Sequence, residues 1–273
     1  MNRRAIQELV DIVQAQNSMI VFLSEIWSVK EHMKWVHDRI YFEGCFTVPN
    51  EGRGRGMASL WKVGANVWVD SFSKYHIDSI VNGGSENAWR LTGFYGESEI
   101  SQRMKGWNKL RMLSSKSKLP WCCFGDFNEL LEVQDKRGGT PRSHNLMQNF
   151  RDVLDHCGFV DLGIFGPDFT WHGRRRGEWI WERLDRSIAN YKWLTRFPTG
   201  RVKHLNCFTS DHWPLLLSLD GHRECRKWRR KPFWFEAMWI SDPECEEVVA
   251  RAWDCTPIGT PMFVAATDRK SVV

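Results

Sequence analysis

The sequence predicts an α+β domain with two β-sheets inside and helices outside. Strand-like apolar runs come in hairpin-like groups that are separated by turn residues. Amphipathic helical patterns interrupt these groups, and no regular βαβ alternation is present. The chain has 273 residues, of which 42% are hydrophobic and 26% charged. This composition is ordinary for a globular protein, and the length suffices for one large domain or two small ones.

The predicted elements can be assigned in order along the chain. Apolar residues at helical spacing predict a helix over 4–16, and the continuous apolar run 19–25 predicts a buried strand. Two more helices are predicted over 101–117 and 143–158, the latter with a serine at its start and a glycine at its end. The segments that predict further strands are MASLWK, NVWVDSF, YHIDSIV, NAWRLTGFY, LPWCCFGDFN, WIWERLDRSI, VKHLNCF and WPLLLSL.

The character of the sequence changes after Leu219. Residues 221–232 are strongly basic, and residues 233–254 have an amphipathic helical pattern. We therefore expect a main domain over 1–220 and a basic linker with a helical connector over 221–273.

Charge and cysteine content narrow the class of protein. A net charge of +5 permits contact with nucleic acid without requiring it. The eight cysteines include no Cys-x-x-Cys pair, so we expect no zinc site and mostly buried, reduced thiols in an intracellular compartment. The start of the chain does not resemble a signal peptide, and no apolar run approaches the ~20 residues that span a bilayer. We expect a soluble protein.

Polar residues recur where predicted strands end. Such side chains converge when the strand ends lie on one edge of a sheet. Carboxylates, an amide, a phenol and an imidazole in one place would suit Mg²⁺ and a phosphodiester, which needs a base for water and an acid for the leaving oxygen. The residues at these positions are Glu25, Tyr95, Asp126, Asn128, Asp185, Asp211 and His212.

Each of these positions has a simpler interpretation when it is taken alone. Asp126 and Asn128 are also typical of a strand-to-turn cap. Asp185 lies near arginines and could form a surface ion pair, which contributes little to stability. Glu25 could be a solvated strand end, and Ser-Asp-His at 210–212 could be a cap. The order of the positions along one chain favours a shared site.

Five motifs occur in the order LSE, TGFYG, WCCFGDFNELL, FTW with WERLDR, and TSDHWPL. Together they resemble the endonuclease/exonuclease/phosphatase superfamily with its DNase I-like fold. NELLEVQDKRGG, DFTWHG, ERLDRSIAN, SDHWPLLL and FEAMW resemble one branch, the endonuclease domain of plant LINE-type (non-LTR) retrotransposons. The resemblance covers roughly residues 2–254 and implies a four-layer α/β sandwich, in which two packed mixed sheets are flanked by helices.

The resemblance implies roles for the residues that meet metal and phosphate. Glu25 is similar to the glutamate that binds the divalent cation, which would be Mg²⁺ with Mn²⁺ as an alternative. Tyr95 is similar to the tyrosine that contacts the scissile phosphate. Asp126 resembles the aspartate of proton transfer or water activation, and Asn128 the asparagine that helps to hold the phosphate.

The resemblance also implies a histidine centre. Asp185 is similar to the aspartate that orients the essential histidine. His212 matches that histidine, which stabilises the charged phosphate in the transition state. Asp211 is similar to its acidic neighbour close to the metal. A paired carboxylate fixes the tautomer of an imidazole and favours its charged form.

The sequence departs from the family pattern in three places. Family members have a first strand with a catalytic asparagine before the first helix, and we expect that this strand is absent here because the sequence starts with MNRRAIQEL. The family's Glu-Thr pair reads Glu25-Ile26, and the tyrosine loop reads YGESEIS without the usual proline. In such elements a reverse transcriptase follows the endonuclease, and residues 228–254 resemble the connector between them. We therefore expect a fragment of a mobile element, or a gene model built from one.

Two basic clusters adjoin the motif loops, so phosphate contact is predicted there, with a solvated charged loop as the alternative. Trp171 could stack on a base or fill the core, and the core is favoured. The basic clusters consist of Arg174, Arg175 and Arg176, and of Lys136 and Arg137.

These observations leave three functional hypotheses. The first is a Mg²⁺-dependent endonuclease that nicks DNA, acting as a monomer in the nucleus without membrane contact. The second is a catalytically inactive retroelement remnant that at most binds nucleic acid. The third is a phosphatase of inositol lipids or small molecules, which the spacing of TGFYG, GDFN and SDHWPL disfavours.

Overall fold

The computed structural model describes residues 3–26, 36, 39–49, 56–175 and 177–220. The chain divides into two units, Met1–Arg223 and Glu224–Val273, and all described residues belong to the first. The predicted connector over 221–273 lies outside the described residues, and the predicted domain boundary remains a prediction. No helix of the described residues is long and apolar enough to cross a membrane.

Helices and strands alternate irregularly along the chain. Helices α1 to α4 span Arg3–Gln16, Arg103–Ser114, His144–Cys157 and Tyr191–Arg196. The strands are β1 (Ile20–Ile26), β2 (Gly44–Val48), β3 (Gly56–Trp61), β4 (Val67–Ser73), β5 (His76–Val81), β6 (Trp89–Tyr95), β7 (Trp121–Asp126), β8 (Lys136–Arg137), β9 (Phe159–Asp161), β10 (Trp171–Arg175), β11 (Glu178–Glu182), β12 (Asp185–Asn190), β13 (Arg201–His204) and β14 (Leu215–Ser218).

A six-stranded sheet in the order β4-β5-β6-β7-β12-β9 forms the centre of the fold. It is mixed, because β6 and β7 run parallel whereas the neighbouring pairs run antiparallel. Smaller antiparallel sheets have the orders β1-β3-β2, β10-β11-β8 and β13-β14. Among the described residues β1 pairs only with β3 and β14 only with β13. The absent first strand remains a prediction.

Three buried apolar clusters define the order of the layers. Trp107 of α2 and Phe150 of α3 pack with Phe94 and Ile188 on one face of the central sheet. Cys122 and Ala189 on the other face pack with Ile20 of β1 and Leu217 of β14. The apolar side chains of α1 at positions 6, 10 and 13 pack with Ala58 and Leu60 of β3. The layers are therefore helix, sheet, sheet and helix, which confirms the predicted four-layer α+β sandwich.

The structure refines the predicted elements in several places. The predicted helices and strands are present, but WIWERLDRSI forms two strands, β11 and β12. The short elements β2, β8, β9 and α4 were not predicted, and β10 begins at Trp171 within the FTW motif. Gly158 ends α3 in the left-handed conformation with φ 63°, as a terminal glycine predicts. The side chain of Ser143 makes no capping hydrogen bond, so its predicted capping role is wrong in that respect.

The described cysteines are free thiols. Cys122, Cys123 and Cys157 are buried, and burial raises the pKa of each thiol. Cys45 is exposed and Cys207 is partly buried. The prediction of mostly buried, reduced thiols therefore holds for the described part of the chain.

Candidate active site

Three of the predicted site residues lie side by side at one end of the central sheet. Tyr95 ends β6 and is paired with Asp126, which ends β7. Asp185 begins β12 and is paired with Asp126 from the other side. Gly125 makes this close approach possible, because a Cβ there would lie 2.1 Å from the carbonyl oxygen of Phe94 and its φ is 136°.

A network of hydrogen bonds fixes the loop after β7. Asp126 is 3% exposed and accepts hydrogen bonds from the backbone nitrogen of Asn128 at 2.7 Å and from its Nδ2 at 2.9 Å. The same Nδ2 donates to the carbonyl of Gly96 at 2.9 Å. Asn128 has a left-handed φ of 54°, which asparagine tolerates better than most residues. The Asn128–Gly96 hydrogen bond therefore joins the GDFN loop to the loop that follows Tyr95.

His212 and Asp185 form a direct pair. The distance from His212 Nδ1 to Asp185 Oδ2 is 2.8 Å. The backbone nitrogens of Leu184 and Asp185 each donate to Thr170 Oγ1 at 2.9 Å. Trp171 forms a β-bridge with His212. The FTW motif therefore holds both the aspartate and the histidine in place.

Glu25 reaches the site from the neighbouring sheet. The pairing of β1 with β3 shifts register between Leu23 and Ile26, and Glu25 has a left-handed φ of 60°. Such bulges re-aim a side chain, and strained backbone of this kind clusters at functional sites. The hydroxyl of Tyr95 donates to Glu25 Oε1 at 2.8 Å.

A cavity of about 310 Å³ opens at these residues. Asp211 lies on its wall, where its Oδ2 accepts a hydrogen bond from Trp171 Nε1 at 3.0 Å. Trp171 also packs against the buried residues Leu130, Met147 and Leu184, so it combines the predicted core role with a polar contact. The predicted site residues on the cavity wall are Glu25, Asn128, Asp211, His212 and Arg175. Tyr95, Asp126 and Asp185 adjoin this wall through the hydrogen bonds described above.

The acidic surroundings set the proton affinities of the site. Burial raises the pKa of Asp126 to about 7, and the charge of Asp185 adds to the shift while His212 opposes it. Burial alone would lower the pKa of His212, but the pairing with Asp185 and the charges of Asp126 and Asp211 raise it to about 10. At neutral pH His212 is therefore protonated, and Asp126 is close to the midpoint of its titration.

A buried ionic network, not predicted from the sequence, supports the cavity wall. Glu129 is fully buried and pairs with Arg103 at 2.5 Å and with Arg142 Nε at 3.3 Å. Arg142 Nη2 also contacts Glu182 at 3.2 Å, and Lys136 pairs with the same carboxylate at 2.5 Å. The position of Glu129 directly after Asn128 is the signal that could have indicated it.

Glu8 of α1 is another residue that sequence reasoning missed. Its carboxylate accepts hydrogen bonds from the backbone nitrogens of Phe208 at 2.7 Å and Thr209 at 3.0 Å, and from the hydroxyl of Thr209. Burial alone would raise the pKa of the Glu8 carboxyl, but the hydrogen bonds together lower it below its usual value. Glu8 therefore fastens the loop that leads into Asp211 and His212.

The two predicted basic clusters meet on the sheet β10-β11-β8. Lys136 is only 13% exposed and is bound to Glu182, whereas the guanidinium of Arg137 lies over the Trp181 ring at 5.5 Å. Arg174 and Arg175 are adjacent in β10 and so point to opposite faces. Only Arg175 of these two lines the cavity. Arg176 lies outside the described residues, and nucleic-acid contact by the five residues remains a prediction.

The acidic side chains at the cavity fit one mode of binding a divalent cation. Within the described residues, no group of three or more His, Cys, Asp or Glu side chains could hold a metal ion. Mg²⁺ at phosphate sites commonly uses one or two protein carboxylates and completes its shell with water and substrate oxygens. Glu25 and Asp211 on the cavity wall fit that mode of binding, and they do not fit a closed structural metal site.

Solved structures with the same fold include nucleases. The endonuclease domain of TRAS1, a telomere-specific non-LTR retrotransposon, is 14% identical with a TM-score of 0.57, over 79% of this chain and 92% of that chain. An AP endonuclease from Archaeoglobus fulgidus is 16% identical with a TM-score of 0.58, over 79% and 94%. Truncated TDP2 from Caenorhabditis elegans is 16% identical with a TM-score of 0.51, over 79% and 91%. No curated protein matches the chain by sequence.

A family profile agrees with the fold and with the geometry of the site. The profile of the Endonuclease/Exonuclease/phosphatase family matches residues 2–212, which include all seven predicted site residues. The DNase I-like fold inferred from the sequence motifs is confirmed. The chain belongs to the Endonuclease/Exonuclease/phosphatase family.

Proposed function

We propose that the protein is a Mg²⁺-dependent phosphodiester hydrolase that nicks DNA, of the kind found in plant LINE-type retrotransposons. The observation that carries the proposal is the His212–Asp185 pair at 2.8 Å, which lies beside the buried Asp126 in a cavity open to a substrate. A protonated imidazole and a carboxylate that titrates near neutral pH suit the acid and base requirements of phosphodiester hydrolysis.

The histidine pair supplies positive charge at the phosphate. Asp185 accepts the Nδ1 proton of His212, so Nε2 is left to donate to a phosphoryl oxygen. The pKa of about 10 keeps this imidazole protonated at neutral pH. Charge that develops on the phosphoryl oxygens in the transition state is therefore stabilised by a donor held in place before the reaction.

Asp126 is suited to accept a proton from the attacking water. Its pKa of about 7 gives a basic form that is populated at neutral pH and still has affinity for a proton. Asn128 is held by Asp126 and Gly96 and can orient a phosphate on the cavity wall. Glu25 and Asp211 would hold the divalent cation, which when bound polarises a phosphoryl oxygen and offsets its charge. Tyr95, bound to Glu25, keeps that carboxylate aimed at the cavity.

The experiment is a nicking assay on supercoiled plasmid with Mg²⁺, Mn²⁺ or EDTA. We expect wild-type protein to convert supercoiled into open-circular DNA with either metal and not with EDTA. His212→Ala should lower the nicking rate by about 100-fold or more. His156→Ala, which removes an exposed histidine of α3, should nick like the wild type. Equal nicking by wild type and His212→Ala, or none by either, would remove the hydrolase proposal.

A second candidate is a catalytically inactive remnant that binds nucleic acid without cleaving it. The departures of the sequence from the family pattern favour it, namely Ile26 after Glu25 and the YGESEIS loop without a proline. DNA binding by gel shift together with no nicking in any metal would select this candidate. We also propose a nuclear location, because chromosomal DNA would be the substrate, and a monomeric state. Microscopy of a tagged protein and sedimentation velocity test these two points.

A further inference from the structure

Two adjoining cavities share a wall at the site. The smaller, of about 310 Å³, contains His212, and the larger, of about 620 Å³, continues from it. The residues common to both linings are Ile100, Arg142, Arg175 and Glu182. Two of these four residues are arginines, so two guanidinium groups lie at the passage, which is the boundary between the smaller cavity with His212 and the larger cavity.

Arg142 is held rigidly at this passage. Its Nη2 contacts both oxygens of Glu182 at 3.2 and 3.3 Å, and its Nε lies 3.3 Å from Glu129. The side chain is 15% exposed, and Nη1 makes no hydrogen bond to a described residue. Arginine presents several donors in a fixed plane, and a guanidinium ordered before binding loses little entropy when it takes a phosphate.

Arg175 ends β10 and lines the same two cavities as Arg142. Its guanidinium lies 5.6 Å from the centre of the Trp171 ring, and its side chain is exposed. Charged side chains on the larger cavity are Lys136, Arg142, Arg175, Glu178 and Glu182. The lining of the larger cavity therefore has three cationic and two anionic side chains. Thr140 and Ser143, which carry hydroxyl groups, also line this cavity.

We propose that Arg142 and Arg175 form a second phosphate subsite, which binds the phosphodiester next to the one that is cleaved. The inference rests on the proposed function, because it takes the His212 cavity as the place of cleavage. A polynucleotide strand carries a phosphate at every nucleotide, so a strand with one phosphate at His212 presents the next one at the adjoining passage. A substrate with a single phosphodiester does not reach this subsite.

The test combines binding with catalysis. Binding of a fluorescent 20-base-pair DNA duplex is measured by anisotropy in EDTA over a series of salt concentrations. Each phosphate contact contributes about 0.9 to the slope of log K against log salt. Plasmid nicking and the hydrolysis of bis(para-nitrophenyl) phosphate, which has one phosphodiester, are measured with Mg²⁺.

For Arg175→Gln we expect a slope smaller by about 0.9 and a KM for plasmid about 10-fold higher. The loss of turnover on bis(para-nitrophenyl) phosphate should be much smaller than the loss on plasmid. Arg142→Lys keeps the charge that Glu129 and Glu182 require and removes the planar donor set, so we expect about 3-fold to 10-fold weaker duplex binding. Arg201→Gln, an exposed arginine that lines neither cavity, is the matched control and should behave like wild type.

The outcomes separate the two proposals. Wild-type slope and KM in both Arg175→Gln and Arg142→Lys, or equal losses on plasmid and on bis(para-nitrophenyl) phosphate, overturn the subsite. If the salt slopes of wild type and Arg175→Gln differ as expected but the wild type hydrolyses neither substrate, the subsite is supported as a binding site. That result overturns the proposed function alone. A thermal unfolding curve for each variant confirms that the binding data come from folded protein.

Discussion

Two buried polar clusters lie on the same central sheet, and they differ in how completely their charges are paired. The paired cluster consists of Asp78, Arg90, Thr92 and Trp121. Asp78 is fully buried and accepts hydrogen bonds from Arg90 at 2.8 Å and from Thr92 at 2.6 Å. Arg90 also donates to the carbonyl of Leu113 at 2.7 Å and lies 4.3 Å from the Trp121 ring centre.

The site cluster consists of Glu25, Tyr95, Asp126, Asp185 and His212. It contains three carboxylates and one imidazole, and it adjoins a cavity. The paired cluster satisfies a buried carboxylate with a guanidinium, which makes it part of the stable core. The site cluster keeps an excess of negative charge, which raises the pKa values of its titratable groups. The adjoining cavity leaves room for a substrate. The comparison indicates that the one cluster contributes to stability and the other to chemistry.

The largest expected effect is on catalysis. His212→Ala should lower the nicking rate by about 100-fold to 10,000-fold, the range for loss of a positioned acid or base. The free energy of unfolding should also fall, because the pairing of His212 with Asp185 stabilises the folded state, so the rate is compared per folded molecule. Nicking rates and thermal unfolding of the same preparation check both parts. A large loss of stability together with a small loss of rate would reverse the assignment of the two clusters.

The next effect is on stability. Arg90→Met leaves the buried carboxylate of Asp78 unpaired, and we expect the free energy of unfolding to fall by about 3–5 kcal/mol. The nicking rate per folded molecule should not change. Asp70→Asn is the matched control, because Asp70 pairs with Lys116 at 3.8 Å on the surface and such pairs contribute about 1 kcal/mol at most. Urea titration compares the two variants, and equal losses would contradict the prediction.

The third effect depends on pH. Burial, together with Lys109, Lys116 and Arg90, lowers the pKa of His76 to about 3. Below pH 6.5 the unfolded chain binds a proton here that the folded protein does not, so stability falls as the pH decreases from 6.5 towards 3. This amounts to about 2 kcal/mol at pH 5. His76→Gln should remove this contribution, so its stability relative to the wild type should rise by about 2 kcal/mol between pH 7 and 5, which unfolding curves at the two pH values would show.

His212 provides the contrast for this measurement. Its raised pKa means that its pairing contributes stability fully below pH 6.5, and that this contribution is lost as the pH rises through about 10. The stability difference that His76→Gln produces should therefore show the same pH dependence between pH 7 and 5 in a His212→Ala background. If His212→Ala abolishes that dependence, the assignment to His76 is wrong.

The smallest effect is a gain in stability. The raised pKa of Asp126 means that its charge costs stability increasingly as the pH rises from 3.8 to about 7. Asp126→Asn should raise the free energy of unfolding at pH 7 by about 1 kcal/mol, because the lost hydrogen bonds with Asn128 offset part of the gain. Nicking should be lost. The gain should disappear at pH 4, and unfolding at the two pH values tests this.

The sequence predicted most of the fold because its signals are local. Buried strands such as β1, β6 and β7 are continuous apolar runs, and their polar last residues indicated the shared edge of the sheet. Elements of few residues were missed, among them β8, β9 and the six-residue helix α4, because they are too short for a period to show. The register that pairs Asp126 with both Tyr95 and Asp185 follows from strand order, which a local pattern does not contain.

The supporting contacts of the site were not predictable for a related reason. Glu129 meets Arg103 across 26 residues, and Glu182 meets Lys136 across 46 and Arg142 across 40. Each of these residues alone is typical of a solvated surface. Only the folding of distant loops onto each other turns them into a buried network.

The Glu8 carboxylate joins segments of the chain that are 200 residues apart at Phe208. Closing so long a loop is entropically costly, so such a contact is expected late in folding, after local structure has formed. The imidazole that would act on DNA then takes up its place only when the first helix has docked. A partly synthesised chain that lacks the 207–212 loop contains most of the sandwich but lacks the histidine of the proposed reaction.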